Sequence, residues 1–357
     1  MKIGIDASSV IAQKTGIGSF ASQLLDQFDR SPQEIDFVRL GPHLKKDMNT
    51  PQRLYWETFL LPSLAHKVHV DVLYSPGFSP PPAGKFRRIV TVHDLIGLLF
   101  PQNVGFASRF YWSHWLPGNL KKAQRLVASS ECTKRDIVRF LKLSPERIEV
   151  VPLAVRSSFC VLQETTKIRG AAERHQIRGP YLISVSSLEP RKNYLRLLKA
   201  FERLYRNRRD LSLVIIGKPA GAEAELKKFI TEKKLTESVK LLGYVPEEDM
   251  ISLYNGALGY VMISLYEGFG LPVLEAMNCG LAGVIADNSS LPEVAGDAAI
   301  HVPPQDETAI YVALRKLLED QTAQKKMSEI ALKRSQQFSI QKTASRLIEI
   351  FKKECQF

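Results

Sequence analysis

Long apolar segments and paired cysteines are both missing from this sequence, and each absence excludes a class of protein. No apolar run approaches the roughly 18 to 20 residues that a helix needs to cross a bilayer, and the run Ala257–Tyr266 fits a buried strand better. The four cysteines are scattered, and none has a C-x-x-C partner. We therefore expect neither a zinc site nor a disulfide framework, and a reducing cytoplasm fits best.

The sequence also lacks the opening of a secreted protein and the composition of a disordered one. Its first residues, MKIGIDASSV, place Asp6 soon after the first lysine and lead into no long apolar stretch, so we expect no signal peptide. Hydrophobic residues make up 45% of the chain and charged residues 24%, which is typical of soluble globular proteins. The 357 residues suffice for two domains of ordinary size.

Positive charge is present in excess. The net charge is +12, and residues 121–147 carry eight Lys or Arg against three Asp or Glu. Such an excess suits nucleic acid, an anionic membrane or an anionic small substrate, although a solvated helical face would also explain it. The segment RFYWSHWLPG just before it is rich in aromatic residues, which can lie on a membrane surface or pack a core.

The pattern of short apolar runs predicts the fold class. Runs rich in Val, Ile and Leu recur along the whole chain and are nearly continuous, as buried parallel strands are. In the second half, amphipathic helical patterns such as Leu195–Tyr205 separate them. Alternating strands and helices indicate βαβ units and doubly wound sheets. The predicted strands are Lys2–Asp6, Asp71–Tyr74, Arg88–His93, Arg125–Ser129, Glu149–Val155, Tyr181–Ser186, Leu211–Gly217, Val239–Val245, Gly259–Leu265, Gly283–Ala286 and Ala299–Val302.

A weakly patterned segment divides the chain. Residues 157–180 are polar, contain two glycines and a proline, and have no strong period. We therefore predict an α/β protein with one Rossmann-like domain over residues 1–170 and another over 171–339. An amphipathic helix within 340–357 would follow. In such sheets ligands bind beyond the carboxyl ends of the strands.

The stretch YEGFGLPVLEAMNCG carries the strongest functional signal. It follows a predicted strand, and Pro272 suits the first turn of a helix. Backbone N–H groups at such a turn favour anions, and its glycines allow close approach of a ligand. Glu267 and Glu275 frame the turn, and either carboxylate can accept hydrogen bonds from a vicinal diol. A helix-dipole partner and an ordinary loop acid are the alternative interpretations. The turn consists of Gly268, Phe269, Gly270 and Leu271.

A basic pair opens another helix. Arg191 and Lys192, in SVSSLEPRKN, follow a predicted strand. Two cations at a helix N-terminus oppose the helix dipole, so they need an offsetting benefit. A bound diphosphate supplies one, because Arg offers a planar fork and Lys a point charge. A solvated loop pair is the alternative.

Two weaker signals lie in the first half. Gly16 and Gly18 form a G-x-G turn after the first strand, without the third glycine of a dinucleotide fingerprint, which argues against NAD. His93 and Asp94 come at the carboxyl end of a predicted strand, a position that faces ligands. A lone histidine is otherwise more often structural.

Together these motifs resemble glycosyltransferase family 4, whose members are retaining enzymes with the fold called GT-B. That fold has two facing Rossmann-like domains and an active site in the cleft between them. The segment Glu267–Glu275 looks like the family's motif of two glutamates with seven residues between them. The turn Thr15–Gly18, the basic pair and the pair His93-Asp94 also match. The resemblance covers essentially the whole chain and is nearest to bacterial mannosyltransferases that build O-antigen-like polysaccharides.

The resemblance implies roles for individual residues. Arg191 and Lys192 would hold the donor diphosphate, Glu275 the ribose hydroxyls, and Glu267 the transferred sugar. The acceptor side in the N-terminal domain would include His93, Asp94 and Ser130, with His93 near the reacting sugar. The helix within 340–357 would cross back to that domain. Further donor-binding positions would be Gly16, Gly18, Tyr244, Val245, Gly268, Phe269, Gly270 and Leu271.

The same resemblance implies a mechanism without cofactors. Arg191, Lys192 and the helix N-terminus would stabilise charge on the departing diphosphate. The sequence has no Asp-x-Asp motif, so we expect no metal. Catalysis would rest on His93 and Glu267 together with the basic pair. The expected donor is a nucleotide-diphosphate sugar, and GDP-mannose is the first choice. The alternative is a glucosyl or N-acetylglucosaminyl transferase that uses a UDP-sugar.

Other functions remain open at this point. A nucleic-acid-binding protein would explain the charge but not two carboxylates around a glycine turn, so we expect no nucleic acid partner. A nucleotide-sugar epimerase of the same fold and a non-catalytic relative are closer rivals. The expected acceptor is a glycan or lipid-linked glycan, with peripheral contact to an anionic inner membrane surface. Neither the acceptor nor the oligomeric state follows from the sequence.

Overall fold

The computed structural model describes residues 1–12, 16–30, 35–42, 48–77, 79–101 and 106–355. Thr15 of the predicted glycine turn lies outside these residues. The chain forms two compact units. The first runs from Met1 to Ala154 and includes the chain from Phe338 onward, and the second is Val155–Gln337. Each unit has its own parallel sheet, as the alternating sequence pattern predicts.

The first unit contains a six-stranded sheet with strand order β2-β1-β3-β4-β5-β6 and parallel pairing throughout. Its central strands are buried, which explains their nearly continuous apolar sequences. Asp36–Leu40 is the strand that the sequence does not predict, because this edge strand is half-exposed and carries Asp36 and Arg39. The strands are β1 (Lys2–Asp6), β2 (Asp36–Leu40), β3 (Val72–Ser75), β4 (Arg87–Val92), β5 (Arg125–Ala128) and β6 (Ile148–Val150).

The second unit repeats this architecture with strand order β12-β11-β10-β7-β8-β9, again parallel. Several strands end earlier than the apolar runs that predict them. Val239–Val245 is a strand only to Leu241, and Gly259–Leu265 only to Met262, because the chain leaves the sheet to form the loops at its edge. The strands are β7 (Tyr181–Val185), β8 (Ser212–Ile216), β9 (Val239–Leu241), β10 (Gly259–Met262), β11 (Gly283–Ala286) and β12 (Ala299–Val302).

Helices cover the first sheet, and two of its helical segments contain π-helical turns. Trp56–Leu60 interrupts the first and Tyr111–Trp115 the second. Such turns are rare and are often found at functional sites. The helices in this part of the chain are α1 (Gly16–Asp29), α2 (Thr50–Tyr55), α3 (Leu61–Lys67), α4 (Ile96–Leu99), α5 (Phe106–Phe110), α6 (Leu116–Lys122) and α7 (Glu131–Leu141).

In the second unit, the helix predicted at Leu195–Tyr205 begins one residue earlier, at Tyr194. Leu197, Leu198, Phe201 and Leu204 are buried, and Leu195 is partly so. The helix is therefore amphipathic, as its sequence pattern predicts. The helices of this unit are α8 (Thr165–Arg174), α9 (Tyr194–Tyr205), α10 (Glu223–Glu232), α11 (Glu247–Gly256), α12 (Leu271–Asn278), α13 (Leu291–Ala295), α14 (Glu307–Glu319) and α15 (Gln321–Ser335).

The division between the units differs from the boundary expected at residue 170. That position lies inside α8, which packs on α11 in the second unit. The structure divides the chain between Ala154 and Val155 instead. The sequence pattern does not predict α8, because the helix buries only Ala171 fully and its other residues are largely polar.

The last helix, α16 (Ile340–Cys355), belongs to the first unit. It packs on α1 and next to β3 and β4. Phe351 is fully buried, with its ring centroid 5.1 Å from that of Tyr74 and 6.0 Å from that of Phe28. The C-terminal segment is therefore part of the core of this unit.

Truncating Phe351 should destabilise the first unit. We expect Phe351→Ala to lower its free energy of unfolding by about 3–5 kcal/mol, because the substitution leaves a cavity in a closed core. Urea denaturation followed by circular dichroism measures the change. Phe59→Ala is the matched control, since that side chain is 61% exposed. Equal losses in the two variants would contradict the packing described for α16.

Candidate functional site

The site in the second unit lies where two neighbouring strands end. β7 and β10 pair in parallel, so their carboxyl ends meet at one edge of the sheet. The segment after β7 carries Arg191 and Lys192, and the segment after β10 carries Glu267. The backbone also joins these segments, because Leu265 N–H donates to the carbonyl of Arg191 at 2.8 Å. The topology thus brings together residues about 75 positions apart in sequence.

Glu267 is the centre of a buried ion-pair cluster. Its carboxylate accepts from Lys192 Nζ at 2.6 Å and from Arg191 Nη1 at 3.3 Å. Arg191 is 6% exposed and also donates to the carbonyl of Tyr266 at 2.5 Å and to Glu189 Oε2 at 3.1 Å. The two predicted diphosphate ligands therefore surround one carboxylate.

Electrostatics keep this carboxylate ionised. Burial is the largest single influence and by itself would raise the pKa of Glu267. The positive charges of Lys192 and Arg191, with hydrogen bonds from Lys192 and Ser264, outweigh burial and leave the pKa below its ordinary value. The cluster is thus a charged group held in a protein interior, which is the environment in which ionic contacts are strongest.

Residues that the sequence analysis did not single out hold this cluster in place. Asn193 adopts the left-handed conformation, with φ 63°, directly after the short 3₁₀ turn Pro190–Lys192. Its amide donates to the carbonyls of Ile263 at 3.0 Å and Pro304 at 2.6 Å. An asparagine just before a helix is the signal that could have revealed this role.

Two serines fix the backbone of Glu267. Ser289 Oγ accepts from the N–H of Glu267 at 3.0 Å, and Ser290 Oγ donates to its carbonyl at 2.9 Å. Both serines follow β11, the next strand in the sheet. Their position at that strand's end, within the sequence DNSSLPE, is the feature that sequence reasoning could have used.

The predicted glycine turn leads directly into α12. Gly268, Phe269 and Gly270 are buried, and Leu271 is the first helical residue. Gly270 has φ 100°, and a Cβ there would lie 2.7 Å from Leu291 Cδ2. Only glycine fits that position without displacing its neighbours. The helix dipole gives this end of α12 the partial positive charge that anions favour.

Glu275 lies farther along α12 with different partners. Its Oε2 accepts from the hydroxyl of Tyr254 at 3.2 Å. Burial raises the pKa of Glu275 to about 7, against the lowering effects of Tyr254 and the charge of Arg156. The two glutamates of the motif therefore differ in environment, since Glu267 is ionised among cations and Glu275 can hold a proton near neutral pH.

The predicted base-pocket residues follow β9. Tyr244 is 65% exposed, whereas Val245 is buried. They come directly before Pro246, which caps α11, the helix that carries Tyr254. Tyr254, on that helix, donates to Oε2 of Glu275.

The first unit holds the remaining predicted residues. His93 is buried just after β4, and its Nε2 lies 2.7 Å from the carbonyl of Pro76. That carbonyl can only accept, so Nε2 carries the proton and Nδ1 is an acceptor. Nδ1 has no hydrogen-bond partner within the described ranges. Burial lowers the pKa of His93 to about 4, so the ring is neutral.

Ser130 reaches His93 through Thr133. It caps α7, where its Oγ accepts from the N–H of Thr133 at 3.0 Å. Thr133 Oγ1 in turn donates to the carbonyl of His93 at 3.2 Å, and Ser129 Oγ donates to the same carbonyl at 2.7 Å. Asp94 Oδ1 accepts from the N–H of Ile96 at 2.9 Å. These contacts orient the backbone around His93.

Gly16 and Gly18 lie in the first turn of α1 rather than in a loop before it. The residue between them, Ile17, lines a cavity of about 70 Å³ together with Gly77 and His93. The glycine motif and the histidine predicted from separate parts of the sequence therefore meet at the carboxyl end of the first sheet.

Comparison with known proteins assigns the family. The profile of a family described as "Glycosyltransferase Family 4" matches residues 20–159, and that of "Glycosyl transferases group 1" matches residues 170–334. O-antigen chain mannosyltransferase B of Escherichia coli is 30% identical over 268 residues, which cover 74% of this chain and 70% of that protein. The chain belongs to glycosyltransferase family 4 and is a glycosyltransferase.

Other relatives and solved structures agree with this assignment. Serotype-specific mannosyltransferase WbdA of Escherichia coli is 28% identical over 272 residues, covering 74% of this chain but only 33% of that protein. WaaG, a glycosyltransferase involved in lipopolysaccharide biosynthesis, matches with a TM-score of 0.73 at 14% identity, over 98% of this chain and 99% of that one. Anabaena Alr3699/HepE in complex with UDP-glucose matches at 0.71 and 15% identity, over 99% and 100%. The fold is GT-B, which confirms the predicted fold class.

The ion-pair cluster makes a prediction about pH. Because the pKa of Glu267 is lowered in the folded state, the cluster stabilises the fold above the carboxyl's ordinary pKa of 4.5, and this contribution is lost as pH falls below it. Lys192→Met should therefore cost about 3 kcal/mol at pH 7 and distinctly less at pH 4. Urea titrations at the two pH values measure both differences.

Lys228→Met is the control for this experiment. Its side chain is 74% exposed and lies 3.9 Å from Glu232. Such a surface pair contributes less than about 1 kcal/mol. A Lys192→Met penalty that is no larger than the control's, or that does not shrink on acidification, would contradict the ionised cluster.

Proposed function

We propose that the protein transfers a hexose, with retention of configuration, from a nucleotide-diphosphate sugar to a glycan or lipid-linked glycan. The observation that carries this proposal is the buried cluster of Arg191, Lys192 and Glu267 beside the N-terminus of α12. Two cations and a helix N-terminus suit a diphosphate, and a carboxylate suits sugar hydroxyls. Both chemistries lie at one edge of the sheet, as a sugar diphosphate requires.

Departure of the nucleoside diphosphate is the step that this cluster would catalyse. Negative charge grows on the leaving oxygens, and Arg191, Lys192 and the first turn of α12 would stabilise it electrostatically. We propose that these groups make a divalent metal unnecessary. Glu267 orients Lys192, and its oxygens would also accept hydrogen bonds from hydroxyls of the hexose.

The rest of the donor would be recognised along the segments that follow. The carboxyl group of Glu275 would bind the ribose hydroxyls, with Tyr254 orienting it. Tyr244 and Val245 would line the base pocket. The backbone of Gly268–Leu271 would approach the sugar and phosphate closely, which its buried glycines permit.

The acceptor side would lie in the first unit, around His93. Its Nδ1 is an acceptor without a partner in the part of the chain that the structure describes, so it can receive a hydrogen bond from a sugar hydroxyl. Asp94 and Ser130 would shape the backbone there, and Gly16 and Gly18 would approach the substrate. Mannose is the proposed hexose and GDP-mannose the donor, since several relatives are named mannosyltransferases of O-antigen chains.

We also propose peripheral binding to an anionic membrane at its cytoplasmic surface. No helix among the described residues is long and apolar enough to cross a bilayer. Two neighbouring helical segments, joined by a 3.0 Å contact between Thr50 Oγ1 and Ser108 Oγ, nevertheless expose large apolar side chains. The second of these segments comes shortly before the basic stretch 121–147 in the sequence. The exposed residues are Tyr55, Phe59, Leu60 and Phe110.

A donor screen tests the proposed reaction. The protein is incubated with GDP-mannose, UDP-glucose and UDP-N-acetylglucosamine in EDTA, and release of free nucleoside diphosphate is followed. We expect release from GDP-mannose and a loss of about 10²–10³-fold in Glu267→Ala and Arg191→Ala. Lys228→Met should match the unaltered protein. The anomeric configuration of the product, read by NMR, tests retention.

Several results would contradict parts of the proposal. Release that requires added Mg²⁺ or Mn²⁺ would exclude the metal-free mechanism. Formation of an isomer without acceptor would indicate an epimerase. If no donor reacts with any acceptor glycan and calorimetry detects no nucleoside diphosphate binding, the proposed donor site is wrong.

Vesicle flotation tests the membrane contact. We expect binding to vesicles that contain phosphatidylglycerol and at least tenfold weaker binding to neutral vesicles. Replacing Phe59 and Phe110 by serine should weaken binding to anionic vesicles relative to the unaltered protein, since it removes the apolar surface that would insert into the bilayer interface. Val312→Ser is the control, because that side chain is 45% exposed in the second unit. Binding that does not depend on anionic lipid would contradict the proposal.

A further inference from the structure

A buried carboxyl group in the first unit has no part in the chemistry above. Glu57 is 0% exposed and lies in the π-helical turn Trp56–Leu60. Its Oε1 and Oε2 contact the hydroxyl of Tyr111 at 2.8 Å and Nε1 of Trp115 at 2.9 Å. Burying a carboxyl group costs free energy unless the group is hydrogen-bonded. The two contacts of Glu57 offset that cost, and they can also serve the fold or the reaction.

The partners of Glu57 occupy the other π-helical turn. Tyr111 and Trp115 are the first and last residues of Tyr111–Trp115. Each turn inserts an extra residue into its helix and so redirects the side chains that follow. Glu57 therefore joins the two irregular turns of this unit directly, and the contact between Thr50 and Ser108 joins their helices one or two turns earlier.

From this junction, contacts lead to the His93 cavity along two routes. Trp112, inside the second π-helical turn, lines the cavity together with Leu116 and His93. Tyr111 Oη accepts from the N–H of Ser79 at 3.3 Å, and Ser79 follows closely after Gly77, which also lines the cavity. Any change in the setting of the Tyr111–Trp115 turn would move one wall of this cavity.

We propose that Glu57 is a positioning residue for the acceptor: by bonding Tyr111 and Trp115 it fixes Trp112 against the His93 cavity, where a sugar hydroxyl is received. This inference rests on the proposed function of that cavity. Glu57 itself touches no substrate. It acts through the geometry of the second π-helical turn.

The surroundings of Glu57 keep it protonated at neutral pH. Burial raises its pKa to about 8, and hydrogen bonds from Trp115 and Tyr111 and the charge of Arg53 lower it less than burial raises it. Asp6, at the end of β1, adds a repulsive effect, and its own pKa is also raised by burial. These are the charged and titratable groups that face Glu57 from the elements packed around it within the described ranges.

Glutamine is the substitution that should preserve this arrangement. When Glu57 is ionised, Tyr111 Oη and Trp115 Nε1 both donate to it. The protonated carboxyl keeps one acceptor oxygen for Trp115 and turns its O–H toward Tyr111 Oη, and the amide of Gln offers the same acceptor and donor. Leucine is similar in size but offers neither. Comparing Glu57→Gln with Glu57→Leu therefore separates the hydrogen bonds from the packing.

The first test uses intrinsic fluorescence, because the chain's three tryptophans all lie here: Trp56, Trp112 and Trp115. In the intact protein we expect a change in emission between pH 6 and 9.5 with a midpoint near 8, where Glu57 ionises. Glu57→Gln should lack this transition and keep the emission of the low-pH form. A transition of equal size in Glu57→Gln would overturn the proposal.

The second test is kinetic. We expect Glu57→Leu to raise the acceptor KM at least tenfold, with the donor affinity measured by calorimetry unchanged, and Glu57→Gln to stay within about twofold of the unaltered protein. Above pH 8 the acceptor KM should rise in the unaltered protein and not in Glu57→Gln. Trp115→Phe, which removes one hydrogen bond and keeps an aromatic ring, should lie between the two.

The outcomes distinguish this inference from the proposed function. If Glu57→Leu only lowers the melting temperature, or weakens donor and acceptor equally, Glu57 is structural and the inference fails while transfer stands. If the unaltered protein transfers nothing, the proposed function fails, and the fluorescence comparison still decides whether Glu57 controls the setting of the tryptophans. Should Glu57→Leu not fold, Trp115→Phe provides the same comparison.

Discussion

The burial of one carboxylate between two cations is the constraint on which the second unit depends. Glu267 could not remain ionised where it lies without Lys192 and Arg191, and those cations could not be buried without Glu267. The loops that carry these residues must therefore be held in one conformation. Asn193, Ser289 and Ser290 do this through hydrogen bonds to the loop backbone. A glycine with φ 100° completes the turn into α12. Each of these residues stabilises a charge arrangement that is costly to bury by itself.

Parallel sheet topology accounts for where the functional residues lie in each unit. Strands that pair in parallel end at the same edge, so loops from distant parts of the sequence meet there. In the second unit this brings Arg191 to Glu267, and in the first it brings Ile17 to His93. The two sites nevertheless differ in character. One is a network of full charges, whereas the other is lined mainly by apolar side chains, together with a neutral imidazole, Thr91 and Asp94. That contrast supports the proposal that the first site binds a diphosphate and the second receives a hydroxyl group.

The sequence predicts most of this fold because buried parallel strands have nearly continuous apolar sequences. It misses Asp36–Leu40, whose half-exposed edge position gives it charged residues, and it places the unit boundary inside α8, whose polar sequence gives little sign of a helix. The motifs predict which residues cluster at the strand ends, such as Arg191 with Glu267. They do not predict that Arg191 and Lys192 form ion pairs with Glu267. The local sequence of a cation that pairs with a carboxylate does not differ from that of a cation that binds phosphate.

The two π-helical turns, Trp56–Leu60 and Tyr111–Trp115, are features that the sequence does not predict. The segment RFYWSHWLPG predicts aromatic residues for either a core or a membrane surface, and the structure buries some of them and exposes others. Tyr111 is buried on Glu57, while Phe110, one residue earlier, is 58% exposed. Successive residues of a regular α-helix are about 100° apart, and the π-helical turn inserts one further residue into that period. A π-helical turn has no local sequence signature. The sequence therefore does not predict that Phe110 is exposed while Tyr111 is buried and hydrogen-bonded to Glu57. Glu57 stabilises this arrangement, since it is a hydrogen-bond partner of both Tyr111 and Trp115.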